Sequence, residues 1–195
     1  MKNTHLEHLE DNILNGGSEG GREAVAFLRS LGQMLDQGVS EARVTVKWDG
    51  APAIICGVNP DNGRFFVGTK SVFNKVNPKI SYSEDDVERM YPPGQLAEKL
   101  KDAYKYLSTL SIPNVVQGDL LFTDDKYEAN IGGETCIAFQ PNTIVYAVPK
   151  DSDIGKKIED AKFGIVFHTQ YSGRTLDTMT ASFGNINIQG NTNVF

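Results

Sequence analysis

Cysteine is scarce in this chain: Cys56 and Cys136 are the only two in 195 residues, each inside an apolar stretch and without C-x-x-C spacing. That excludes a disulfide scaffold and a cysteine-ligated zinc site, and predicts buried free thiols in a reducing compartment. Long apolar runs are missing too. Stretches such as Ala53–Cys56 fall far short of the roughly 20 residues a membrane helix needs. The polar start, MKNTHLEHLE, has the pattern of neither a signal nor a transit peptide. The expectation is therefore a cytoplasmic protein with no membrane partner. There is no surplus of basic charge: 19 Lys and Arg stand against 25 Asp and Glu, a net charge of −6. Generalised affinity for nucleic acid needs excess cations, so only a local basic patch could supply it. No internal repeat is visible, no serine sits in a G-x-S-x-G elbow, and Gly16-Gly17 and Gly132-Gly133 are too poorly flanked to be phosphate loops.

What the chain does contain is 39% hydrophobic residues, well spread, enough to bury a core. Thr4-His5-Leu6-Glu7 has capping-box spacing, and Leu6, Leu9 and Ile13 follow at helical intervals. Gly16, Gly17, Gly20 and Gly21 predict a break, after which Val25, Leu28, Leu31 and Leu35 mark one face of a second helix, about Arg22 to Asp36. These two helices form an expected N-terminal appendage over residues 1–40. His5 and His8 share a helix face, read as a plain exposed surface rather than a metal site.

Residues 41–195 then switch to strands. Candidates are Arg43–Lys47, Ala53–Cys56, Arg64–Val67, Val115–Phe122, Thr135–Phe139, Thr143–Val148 and Lys162–Thr169, with a turn at Asn59–Gly63. Helices are expected from Ser83, as N-cap, through Tyr91; after Pro92-Pro93, carrying Leu96, Leu100, Tyr104 and Leu107; and at Asp153–Asp160. Antiparallel-looking strand groups separated by helices predict an α+β fold rather than a doubly wound sheet. Charge is uneven: Arg64, Lys70, Lys75 and Lys79 occur with no acid between Arg64 and Ser83, and Glu84, Asp85, Asp86 and Glu88 follow at once. The acids suit a helix N-terminus; the bases are a loop surface or a nucleic-acid contact.

The segment Val44–Gly50 ends a strand with Lys47, Asp49 and Gly50. Desolvation and nearby positive charge would lower the lysine pKa and free a nucleophilic amine, and Gly50 would allow close backbone approach to a ligand. The plainer reading is a surface lysine before an Asp-Gly turn. Phe122, Phe139 and Tyr146 read as core, His168 as a core or rim histidine, and Gln140–Thr143 as a turn without assigned function.

Lys47-Trp48-Asp49-Gly50 resembles the nucleotidyl-acceptor motif of ATP-dependent DNA and RNA ligases and mRNA capping enzymes. Gly68–Ser71, Gln117–Phe122 and Lys162–Phe167 resemble later motifs of that family, in the same order. The whole chain also resembles uncharacterised proteins of T4-like tailed phages. The ligase resemblance implies an antiparallel-sheet nucleotidyltransferase core. It implies Lys47 as the residue that becomes lysyl-AMP, with ATP and Mg²⁺ as cofactors and nucleic-acid ends, DNA or RNA, as partners. Asp49, Gly50, Lys70, Asp119, Phe163 and Phe167 would bind the nucleotide, either phenylalanine by stacking on the purine, and Asp119 would hold the ribose or the metal. The chain departs from the family at Pro52, where an arginine is common. It also has no Glu or Lys from Ser172 to Phe195, where the last two motifs would lie. Two expectations follow: a ligase-like enzyme whose domain stops before its last two motifs, or a non-catalytic phage structural or nucleic-acid-binding protein that keeps the fold.

Overall fold

The computed structural model describes residues 9–38, 48–183 and 186–195. Lys47, the strand expected at Arg43–Lys47, the capping box at Thr4–Glu7, and His5 and His8 lie outside the described residues. The chain divides into two compact units, Met1–Lys47 and Trp48–Phe195, a boundary later than the one expected after residue 40. Among the described residues no helix is long and apolar enough to cross a membrane.

In the first unit, helical residues run over α1, Leu9–Gln37, with a kink at Gly17 (φ 54°, ψ −133°). The glycine break therefore narrows to one residue, and Gly20 and Gly21 lie within the second helical stretch. Gly20 is glycine for a steric reason: a Cβ there would stand 1.9 Å from the Asn12 carbonyl oxygen. Gly20 and Ala24 are the buried residues of α1, while the expected apolar stripe stays largely open, with Val25, Leu28 and Leu35 exposed.

The second unit is α+β with antiparallel sheets. Its helices are α2 (Glu84–Met90), α3 (Gln95–Leu107) and α4 (Asp153–Asp160). Its strands are β1 (Ala53–Val58), β2 (Phe65–Gly68), β3 (Val115–Phe122), β4 (Tyr127–Ile131), β5 (Glu134–Phe139), β6 (Tyr146–Pro149), β7 (Gly164–Ser172) and β8 (Thr180–Phe183). One sheet has the order β2-β1-β3-β7-β8 and the other β4-β5-β6. β4 and β8 carry no clear sequence pattern: β4 has no buried residue, so no alternation marks it.

Local chemistry accounts for the helix boundaries. Ser83 Oγ accepts the Asp86 backbone N–H (3.1 Å) and Asp86 Oδ2 accepts the Tyr82 N–H (2.8 Å), so the acidic run serves the start of α2. Ser152 Oγ caps α4 through the Gly155 N–H (3.0 Å). α3 buries Ala97, Leu100, Ala103 and Leu107, whereas Leu96 is exposed and Tyr104 half-buried. The buried stripe is thus rotated from the expected one, onto small residues that let the helix lie close to the sheet.

The two faces of β3 divide the core. Val116 and Leu120 face α2 and α3, in a cluster with Ile54, Cys56, Leu100, Leu107 and Phe163. On the opposite face, Val115 belongs to a cluster with Ile55, Phe66 and Tyr171, and Leu121 to one with Ile137, Phe139 and Ile158. Asp119 alternates with Val115 and Leu121 and so lies between those two apolar clusters.

Candidate functional site

β1 and β3 bring the segment after Lys47 against Asp119. Ala53 lies across from Asp119 in the ladder. Ahead of β1, the Ala51 N–H donates to the Leu120 carbonyl (3.0 Å) and the Leu120 N–H to the Pro52 carbonyl (3.1 Å), with a cis bond between Ala51 and Pro52. Gly50 fits this approach because it lacks a side chain. A Cβ there would lie 2.5 Å from the Leu120 oxygen and 2.8 Å from the Asp119 Cβ. The close approach expected at Gly50 is therefore made to β3.

Asp49 is held from the second sheet. Its backbone N–H donates to Tyr146 Oη at 2.8 Å, and its Oδ2 accepts from Asn142 Nδ2 at 3.0 Å. The Trp48 and Tyr146 rings lie 5.0 Å apart, and Tyr146 in turn stacks on Phe139 at 5.5 Å. Tyr146 is half-buried rather than plain core, and Asn142 gives the Gln140–Thr143 segment a contact that its sequence did not reveal.

Asp119 pairs with His168: Nε2 stands 3.4 Å from Oδ1, with both side chains partly exposed. A break in the β3–β7 register explains how His168 reaches that face. Gly118 lies across from Phe167 but Gln117 lies across from Thr169, so His168 is the extra residue of a bulge. His168 Nδ1 is 2.7 Å from Thr169 Oγ1, and the buried Gln117 accepts a hydrogen bond from Tyr171 (2.7 Å). Nothing in the sequence marks that bulge.

The register places Phe163 and Phe167, expected to stack on a purine, in the core beneath the helices. Phe163 is fully buried, its ring 6.1 Å from Tyr106. Phe167 is half-buried against the same cluster under α2 and α3. Phe167 shares its face with Gly118, while Asp119 shares the other with Val166. Both phenylalanines therefore belong to the helix-covered side, away from Asp119. Lys70 is exposed and opens a short 3-10 turn, Lys70–Phe73, just past Gly68 at the end of β2. Gly68 lies across from Ile55 of β1, which places this turn two strands from Asp119, about 10 Å by strand spacing. The Thr69 and Ser71 hydroxyls bond each other at 2.9 Å. Of the basic stretch, the Arg64 guanidinium stacks on Tyr82 (4.5 Å) and Lys79 Nζ on Tyr91 (5.0 Å).

Asp119, with His168 beside it, lies against Gly50. Among the described residues no group of three or more His, Cys, Asp or Glu side chains is arranged to hold a metal ion. One carboxylate suits Mg²⁺ only where substrate phosphates and water complete the shell. The model of one protein family matches residues 3–195. The chain belongs to that family, DUF6267, a family of unknown function. No curated protein and no solved structure matches the chain.

Proposed function

We propose that this protein is an ATP-dependent covalent nucleotidyltransferase of the ligase type, acting on nucleic-acid ends. One observation carries the reading. The described parts of the four segments that resemble ligase motifs lie on, or directly before or after, four adjacent strands, β2-β1-β3-β7, with Gly50 against Asp119. In the proposed reaction Lys47 Nζ attacks the α-phosphorus of ATP. An N–P bond forms, the P–O bond to the β-phosphate breaks, pyrophosphate leaves, and the amine proton passes to solvent. Asp49 and Gly50 bind the nucleotide, Lys70 contacts phosphate, and Asp119 would hold the ribose or, with the phosphates, Mg²⁺. Bound there, the ion offsets phosphate charge. Lys75 and the rest of the basic stretch adjoin Lys70 and suit a nucleic-acid backbone.

A second reading, a nucleic-acid-binding or structural protein that keeps the fold without the chemistry, is favoured by one observation: Phe163 and Phe167 face the helices. Incubation with α-labelled ATP and Mg²⁺ followed by a denaturing gel separates the two. The first predicts label on the protein that disappears in Lys47→Ala; an unlabelled wild type with either ATP or GTP sinks it.

A further inference from the structure

Asp49 is tied to residues more than ninety positions away. We propose that Asn142 and Tyr146 are positioning residues that set the geometry of the Trp48–Asp49–Gly50 turn for nucleotide binding; this rests on the nucleotide reading of that turn. Three kinds of contact converge on it. Its main chain is joined to β3 through Ala51 and Leu120 (3.0 Å). The Asp49 N–H is fixed by Tyr146 Oη (2.8 Å), and the Asp49 carboxylate is turned by the Asn142 amide (3.0 Å). The Trp48 ring lies on Tyr146 (5.0 Å).

The β3 contact alone leaves the Asp49 side chain free to rotate about χ1. Asn142, from the loop between β5 and β6, removes that freedom through the carboxylate, while Tyr146, the first residue of β6, fixes the Asp49 main chain. Tyr146 is itself steadied by pairing with Phe139 of β5, so the second sheet supplies a rigid support. Hydrogen bonds that reach a part-buried or exposed group add little to folding stability, because water replaces them in the unfolded chain. Their consequence is orientation. Holding a binding group in place before the ligand arrives removes the ordering cost from the binding step.

Trp48, the only tryptophan, reports on this turn. The experiment titrates Mg²⁺ and ATP into the full chain, following Trp48 emission, for wild type, Asn142→Ala and Tyr146→Phe, with the exchange rate of the Asp49 amide measured by NMR. Tyr146→Phe keeps the ring and deletes only the acceptor oxygen. The expected result is an unfolding midpoint close to wild type, Asp49 amide exchange at least about tenfold faster in Tyr146→Phe, and ATP affinity about fivefold weaker in each variant. Unchanged affinity with unchanged exchange overturns the proposal, as does a lowered unfolding midpoint with affinity intact. A wild type whose Trp48 emission ignores ATP, with no binding by calorimetry, overturns the nucleotide reading instead. In that case faster Asp49 exchange in Tyr146→Phe still supports the anchoring, and unchanged exchange overturns it.

Discussion

Cys56 is fully buried beside Ile54 and Val67, and that burial pushes its thiol well above the ordinary range. The folded state therefore keeps the proton, whereas the unfolded thiol releases it near pH 8.5. The unfolded chain binds fewer protons above that point, so stability falls as pH rises. Urea midpoints measured from pH 7 to 10 are expected to decline beyond about pH 8.5, with the thiol part of that slope absent in Cys56→Ala. Thiol reagents should modify Cys56 only on the unfolding timescale. The burial of both cysteines was legible from their apolar surroundings. His168 was not. Its position on Asp119 depends on one extra residue in β7, and a lone histidine after an apolar run carries no mark of that bulge. Gly50 shows the intermediate case. Close approach at a glycine was foreseeable, but only the β1–β3 pairing decides that the approaching group is the backbone of Leu120.

Elements whose boundaries rest on adjacent side chains are legible in the sequence. Ser83 and Ser152 start α2 and α4, Asn59 Oδ1 accepts the Asp61 N–H (2.9 Å) in the turn after β1, and Val115–Phe122 forms one strand along its whole length. Phase was harder, since a helix shows which residues could face a core without showing where the neighbouring sheet stands. Hence α3 turns Ala97 and Ala103 inward, and Phe163, just before β7, and Phe167 within it lie on the helix-covered side rather than with Asp119. Another element depends on a distant contact: Lys126 Nζ donates to the carbonyls of Ile158, Glu159 and Ala161 at the end of α4, above the Phe122 ring. A cation there meets orphan carbonyls and the negative end of the helix dipole. Lys126→Met is expected to cost about 1–2 kcal/mol, read as a lower urea midpoint with unchanged m-value.

At the scale of the molecule, the final segment completes an edge of the larger sheet. The Lys162 and Phe163 N–H groups donate to the Asn193 carbonyl (2.8 and 3.0 Å), and the Phe195 N–H donates to Phe163 (2.9 Å). Val194 between them is buried in the cluster under α2 and α3, and Phe195 packs near Phe122. A polar, asparagine-containing stretch thus runs parallel to the start of β7 at the Phe163–Val194 bridge. Val194→Ala is expected to destabilise by about 2 kcal/mol, seen as a lower thermal midpoint, although the residue lies far in sequence from the helices it packs beneath.

The sequence by itself determined the α+β class, the starts of α2 and α4, most strands and the buried thiols. All of these follow from periodicity, capping and composition over a few neighbouring residues. Tertiary structure alone decided which strands adjoin, that Asp119 meets His168, that Asn142 and Tyr146 hold Asp49, and that the two phenylalanines face the helices. Each depends on register between strands far apart in the chain, and a shift of one residue reverses every side chain on a strand.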